Sequence, residues 1–186
     1  MNLHVCVLAA GQSKRMQSKL SKVLHPLCGR PLILHVLKLV EALLPTTVTL
    51  VVGHQRDEIL ETLEEKTVDF VMQEKQLGPA HAFGEYLNQK PAITGQVLVL
   101  YGDTPLIPTQ ILQQLIHAAS ATKAELAMFS TELENPTGYG RIIRNASNEV
   151  EGIVEEADAS ESQRQIREIN AGVYLFDIES LRNWIP

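Results

Sequence analysis

Residues 4–16 read HVCVLAAGQSKRM. The apolar run from His4 to Ala10 stops at small residues and gives way to a glycine, a serine, a lysine and an arginine. A strand that only turned a corner would not need so many donors, whereas a loop built to hold an anion would. Ala9, Ala10 and Gly11 leave room for a ligand to approach the main chain, and glycine can take backbone angles that aim N–H groups inward. Lys14, Arg15, Lys19 and Lys22 bring positive charge into the same excursion. The stretch lacks the second glycine and the Lys-Ser/Thr of a Walker A loop, and it does not match G-x-G-x-x-G. Spacing alone leaves a phosphate-binding loop and a solvated basic loop both open.

Outward from this stretch, β-branched runs alternate with helical patterns. His4–Ala10 reads as a buried strand, Thr47–Val52 as a second, Val68–Met72 as a third and Gln96–Tyr101 as a fourth. Leu32, Val36, Leu39, Val40 and Leu43 recur at helical spacing over 32–44. Shorter helices are expected over Asp57–Lys66 and Ala80–Asn88, and another over Thr109–Ser120 behind Pro108. This alternation implies βαβ crossovers and a mostly parallel sheet. The later runs, Ala124–Thr131, Arg141–Arg144, Val150–Glu155 and Ile169–Phe176, suggest an antiparallel extension. The expected fold is a three-layer α/β/α domain with a mixed sheet. Ligands of open α/β sheets bind beyond the carboxyl ends of the strands. Gly11–Arg15, Gln73 and Asp103 fall at such ends and are expected to converge on one cleft.

Length and composition narrow the function classes. The chain has 186 residues, 45% of them hydrophobic, which suits a single cored domain. A net charge of −6 with both signs interspersed argues against a general nucleic-acid surface. Cys6 and Cys28 have no CxxC spacing, and no secretory signal precedes them, so reduced thiols in the cytoplasm are expected. No segment approaches the roughly 20 apolar residues that span a bilayer. The six histidines show no compact ligand spacing, and no G-x-S-x-G elbow is present.

Three further stretches carry chemistry. Asp103, in Tyr101-Gly102-Asp103-Thr104-Pro105, could hold a hard cation at the sheet edge, since Mg²⁺ takes one or two carboxylates plus substrate phosphates. It could equally be a turn aspartate encouraged by its Gly and Pro neighbours. Gln73 and Gln76, with Gly78 between strand and helix, offer amides that donate and accept together and so suit a nucleobase edge. A polar loop capping the next helix is the plainer alternative. Gly138-Tyr139-Gly140, Glu155 and Asn170 are each most simply turn or surface residues, although a sugar would want such groups. Outside Glu155, a solvated face accounts for the Glu-Glu pairs.

Taken in order, VLAAGQSKRM, SKVLH, QLGPAHA, YGDTPL, NPTGYGRI, GIVEEADA and EINAGVY resemble the uridyltransferase domain of bacterial N-acetylglucosamine-1-phosphate uridyltransferases. The match runs from residue 7 to about residue 176. The first motif fits many nucleotidyltransferases; the later ones narrow the choice. The resemblance implies a Rossmann-like nucleotidyltransferase fold. It also implies a reaction in which UTP and N-acetylglucosamine 1-phosphate give UDP-N-acetylglucosamine and pyrophosphate, for cell-wall precursor synthesis. Carried over position by position, Leu8, Ala9, Ala10 and Gly11 would line the uridine and phosphate site, with Arg15 and Lys22 on the phosphates. Gln73, Gly78 and Pro79 would meet the uracil, and Tyr101 and Gly102 would adjoin the nucleotide. Asp103 would bind Mg²⁺, and Gly140, Glu155 and Asn170 would hold the sugar.

The sequence departs from that pattern at Ser21, Pro79 and Ala171, which stand where the family has proline, threonine and threonine. Family members also continue past residue 186, with an asparagine as second metal ligand and usually a β-helical acetyltransferase. Residues 1–186 are therefore expected to form one pyrophosphorylase domain lacking its C-terminal part, without acetyltransferase activity and with no evident trimer contact. Two alternatives stand beside this reading. One is a nucleotidyltransferase for another sugar phosphate or nucleotide; the other is a non-catalytic nucleotide-sugar-binding fragment.

Overall fold

A computed structural model describes residues 2–11, 18, 20–53, 55–63 and 67–184. In chain order, β1 (Leu3–Leu8) is followed by a 3-10 turn (Lys22–Leu24), β2 (Pro26–Leu27), β3 (Arg30–Pro31) and α1 (Leu32–Glu41). Next come β4 (Thr47–Val52), α2 (Arg56–Leu63), β5 (Asp69–Met72), α3 (Pro79–Gln89), β6 (Gln96–Tyr101) and α4 (Thr109–Thr122). The last elements are β7 (Leu126–Glu132), β8 (Arg141–Arg144), β9 (Val150–Val154), α5 (Glu161–Arg164), β10 (Glu168–Asp177) and α6 (Ile178–Trp184). They form two compact units: Met1–Ala127 with Leu175–Pro186, and Met128–Tyr174.

The first unit is built on parallel strands in the order β5-β4-β1-β6. Val5, Cys6 and Val7 of β1 and Val97 and Leu98 of β6 are fully buried. A continuous apolar run of this kind suits a parallel strand covered on both faces, with each buried Val or Leu contributing about 1.5–3 kcal/mol. Helix α3 lies against β1, β4 and β5. Helix α1 turns Ile33, Val36, Leu37 and Val40 inward, the spacing of one helical face. The register sets Leu8 beside both Val51 and Tyr101, and Val52 beside Met72, so the strands end together at one edge.

The second unit is antiparallel. β8 pairs β9 through Arg141–Val154 and Ile142–Ile153, and β10 pairs β8 through Ile169–Arg141. β7 pairs β10. The mixed, mostly parallel α/β fold expected from the sequence is the fold observed.

Differences from the expected elements have local causes. Helix α1 ends at Glu41 rather than residue 44, because Leu44 precedes Pro45 and adopts φ 52°. Helix α4 runs two residues past Ser120 and closes on Lys123 in the left-handed conformation, whose N–H bonds to Ala119 O. Strand β1 stops at Leu8, although Ala9 and Ala10 remain buried. The β2–β3 hairpin was not expected; its turn places Cys28 at φ 51° and Gly29 at φ 77°, the pair of positive angles that two-residue hairpins favour. Residues 64–66, the end of the expected second helix, lie outside the described residues.

Candidate functional site

In the first unit, the chain segments leaving β1, β5 and β6 are each tied to a neighbouring strand by the main chain. Ala9 N donates to Val51 O (2.8 Å), Gln73 N to Val52 O (2.8 Å) and Gly102 N to Leu8 O (2.9 Å). These bonds bring Leu8–Gly11, Gln73 and Tyr101–Asp103 to one carboxyl edge; of the stretch Gly11–Arg15 expected there, residues 12–15 lie outside the described residues. Among the described residues, a side chain at Gly11 would meet nothing within 4 Å. Arg15, with Lys14 and Lys19, lies outside the described residues.

Gly102 is a glycine for a packing reason. A Cβ there would come within 3.0 Å of both Ile33 Cδ1 and Val23 Cγ1. Its absence lets the 3-10 turn close on the end of β6, and that turn carries Lys22. The Lys22 ammonium consequently forms an ion pair with the Asp103 carboxylate. The turn that carries Asp103 is closed by Thr104 Oγ1, which donates to Tyr101 O at 3.0 Å. Among the described residues, no group of three or more His, Cys, Asp or Glu side chains gathers as a metal cage. A cation at Asp103 would rest on this carboxylate and on substrate phosphates, a donor set that fits Mg²⁺.

The loop between β5 and α3 differs from expectation in one respect. Gln73 is 3% exposed, and its amide is already engaged. Its Nε2 donates to Gly78 O (3.1 Å) and lies 2.9 Å from His81 Nδ1. The amide therefore does not offer a donor and an acceptor together. Gly78, at φ 106°, is the N-cap of α3, and its carbonyl also accepts from Ala82 N at 3.1 Å. Pro79 occupies the first helical position, where the missing N–H has no intrahelical partner to lose. Gln76 packs over Gly53, with its Oε1 buried and unpartnered among the described residues.

In the second unit, Asn170 N donates to Gly140 O at 2.9 Å, and a Cβ on Gly140 would stand 3.1 Å from Glu155 Oε1. The three expected sugar residues are thus neighbours. Asn170 Nδ2 donates to the Tyr174 hydroxyl at 2.5 Å, and its Oδ1 accepts from Gly172 N at 3.0 Å. Burial raises the Tyr174 pKa, and the Asn170 hydrogen bond opposes that rise.

Sequence reasoning missed Arg141 and Glu156. Arg141 is 1% exposed; its guanidinium donates to Tyr139 O and Arg164 O, and pairs with Glu156 at 2.7 Å. Glu156 also accepts from Gly138 N at 3.2 Å. Arg141 holds the Glu156 carboxyl below the usual carboxylate range, with the Gly138 N–H adding to the effect. Glu156 is therefore part of the scaffold under Gly138–Gly140 rather than a solvated face. The available signal was an arginine directly after the GYG turn, flanked by Ile142 and Ile143.

The small-residue turn, the amide loop and the Lys–Asp pair lie beyond the carboxyl ends of parallel strands, where open α/β sheets bind their ligands. The chain belongs to the MobA-like NTP transferase domain family, which matches residues 5–169. It is 44% identical over 186 residues to the bifunctional protein GlmU of Pseudomonas entomophila (strain L48), covering all of this chain and 40% of that protein. It is 43% identical over 186 residues to the bifunctional protein GlmU of Xanthomonas oryzae pv. oryzae (strain MAFF 311018), covering 98% of this chain and 39% of that protein. The chain thus spans about two fifths of the length of these curated relatives. These relatives bear out the resemblance carried by the motifs. The fold is also that of HddC from Yersinia pseudotuberculosis complexed with GMP-PN, at TM-score 0.71 and 19% identity, over 95% of this chain and 77% of that one. No helix among the described residues is long and apolar enough to cross a membrane.

Proposed function

We propose that the chain transfers a uridylyl group from UTP to N-acetylglucosamine 1-phosphate, releasing pyrophosphate and forming UDP-N-acetylglucosamine, a cell-wall precursor, in the cytoplasm. The observation that carries this reading is the Lys22–Asp103 pair seated by Gly102 at the carboxyl edge. The attacking group is a phosphate monoester oxygen, ionised at neutral pH, so no strong general base is required. The reaction needs alignment for in-line attack at the α-phosphorus and neutralisation of charge passing to pyrophosphate.

Lys22 and Arg15 would hold the phosphates, with the Ala9–Gly11 turn presenting main chain to them and Tyr101 and Gly102 adjoining the nucleotide. The ion pair with Lys22 offsets the charge of the Asp103 carboxylate beside the place proposed for the triphosphate. Asp103 would hold Mg²⁺, which when bound supplies charge neutralisation on phosphate oxygens. Gln73, Gly78 and Pro79 would meet the uracil. In the second unit, Gly140, Glu155 and Asn170 would meet the sugar. Both units are read as parts of one pyrophosphorylase domain that acts on small molecules, with no nucleic acid or membrane partner.

The GlmU relatives support the choice of substrates at 43–44% identity. Pyrophosphate release from UTP and N-acetylglucosamine 1-phosphate, with and without Mg²⁺, tests it. Metal-dependent release that exceeds release with CTP, GTP or dTTP is the expected result. A preference for another nucleotide overturns the uridylyl assignment, and UDP-N-acetylglucosamine binding without any turnover overturns the catalytic one.

A further inference from the structure

His81 has no role in the reaction as proposed, yet it contacts the one amide assigned to the base. Gly78 O can only accept, so the Gln73 atom 3.1 Å from it is the amino group. The second amino hydrogen points to His81 Nδ1, 2.9 Å away, which must then carry a lone pair. That leaves the imidazole proton on Nε2. Glu85 Oε1 stands 3.6 Å from Nε2, too far for a full hydrogen bond but near enough to favour a proton there. Both hydrogens of the Gln73 amino group are thereby committed inside the protein, which leaves Oε1 as the atom of this amide available to the base. The amide has become an acceptor only.

We infer that His81, backed by Glu85, is a positioning residue that locks Gln73 as an acceptor-only reader of the base and so favours uracil over cytosine. The inference rests on the reading of Gln73 as the residue that meets the base. Uracil offers one ring hydrogen, on N3, between two carbonyl acceptors; a group that can only accept can meet uracil only there. Held opposite N3, the same acceptor meets a lone pair on cytosine, which is repulsive; cytosine's donor is the amino group on C4, and the base would have to shift along the amide to use it. A Gln73 with one amino hydrogen released could donate to cytosine N3 and would lose that discrimination. Sites that fix hydrogen-bond polarity in this way reject the mismatched ligand through the unpaired groups it leaves.

The test is equilibrium binding of UTP and CTP to the wild-type chain and to His81→Leu and His81→Asn, each checked for folding by its thermal midpoint. His81→Leu removes the acceptor; His81→Asn restores one, because its Oδ1 lies near the place of Nδ1. The expected result is a UTP-over-CTP preference that falls on the order of tenfold in His81→Leu, the value of one neutral hydrogen bond, and is retained in His81→Asn. A preference that survives in folded His81→Leu, or is lost equally in His81→Asn, overturns the inference alone. A wild-type chain with no UTP-over-CTP preference overturns the uracil reading of Gln73, and the inference with it. ¹⁵N spectra of the wild-type imidazole give a check that needs no variant: an unprotonated Nδ1 is expected, and a protonated Nδ1 contradicts the proposal.

Discussion

In the first unit the candidate residues are set in place by main-chain hydrogen bonds at the ends of parallel strands; in the second the loop that leads to Gly140 rests on a charged side chain. Ala9, Gln73 and Gly102 each donate a backbone N–H to the strand beside them, so their positions follow from the sheet register. Gly138–Gly140 instead sit over the Arg141 guanidinium, which ties Tyr139, Arg164 and Glu156 together. The two units are therefore vulnerable in different places. Side-chain substitutions at the first edge should change chemistry with little change in stability, whereas one substitution under the second unit's loop should change stability itself.

The largest effect is expected at the first edge. Asp103→Ala should lower the rate of pyrophosphate release a hundredfold or more, about 3 kcal/mol of transition-state stabilisation, as is common when one charge-stabilising group is removed. Its side chain pairs with the partly exposed Lys22, so the thermal midpoint should move by only about 2 °C. Steady-state kinetics beside a thermal melt separates the two quantities. A large loss of stability would show that the pair is structural and would break the contrast.

Arg141→Leu should do the reverse and destabilise the protein by about 3 kcal/mol, because it removes several charge-assisted bonds from a buried group and leaves the Tyr139 carbonyl and Glu156 without their partner. Urea denaturation of the variant against the parent measures this. A midpoint unchanged from the parent would show that the loop holds itself.

The smallest effect concerns acid. Glu168 accepts from Arg144 Nε at 2.8 Å and from Ser130 Oγ at 2.6 Å. The Arg144 hydrogen bond is the main reason its pKa falls from the usual 4.5 to about 2. A carboxyl depressed on folding stabilises above its unfolded pKa, and that contribution is lost as pH falls through the folded value. Stability should therefore decline between about pH 4.5 and about pH 2 partly through this group, and Glu168→Gln should flatten that limb. Thermal melts across that range read the change; identical acid limbs in the two proteins would remove Glu168 from the account.

The same contrast explains what the sequence made legible. Thr47–Val52, Gln96–Tyr101 and Arg141–Arg144 were expected with the bounds observed, because each is a β-branched or aliphatic run closed by turn residues or charge. The carboxyl edge followed, since Gly11, Gln73 and Asp103 come directly after or close behind such runs. Two-residue strands at Pro26–Leu27 and Arg30–Pro31 carry no periodicity, so the hairpin escaped, although Cys28-Gly29 marked its turn. Helix α5 also escaped, yet Ser160 and Gln163 form a reciprocal capping box at its start. The engagement of the Gln73 amide and the pairing of Arg141 with Glu156 were illegible for a different reason. Both depend on which way a side chain turns in three dimensions, and residue type and spacing do not encode that.

In the function proposed, the carboxyl edge of the first unit is a triphosphate clamp. Titrating UTP into the ¹⁵N-labelled chain while following backbone amide signals tests it most directly. Saturable shifts at Ala10, Gly11, Gln73, Gly78, Gly102 and Asp103 are the predicted result. An undisturbed edge at about 1 mM UTP, the upper end of ordinary substrate affinities, would contradict it.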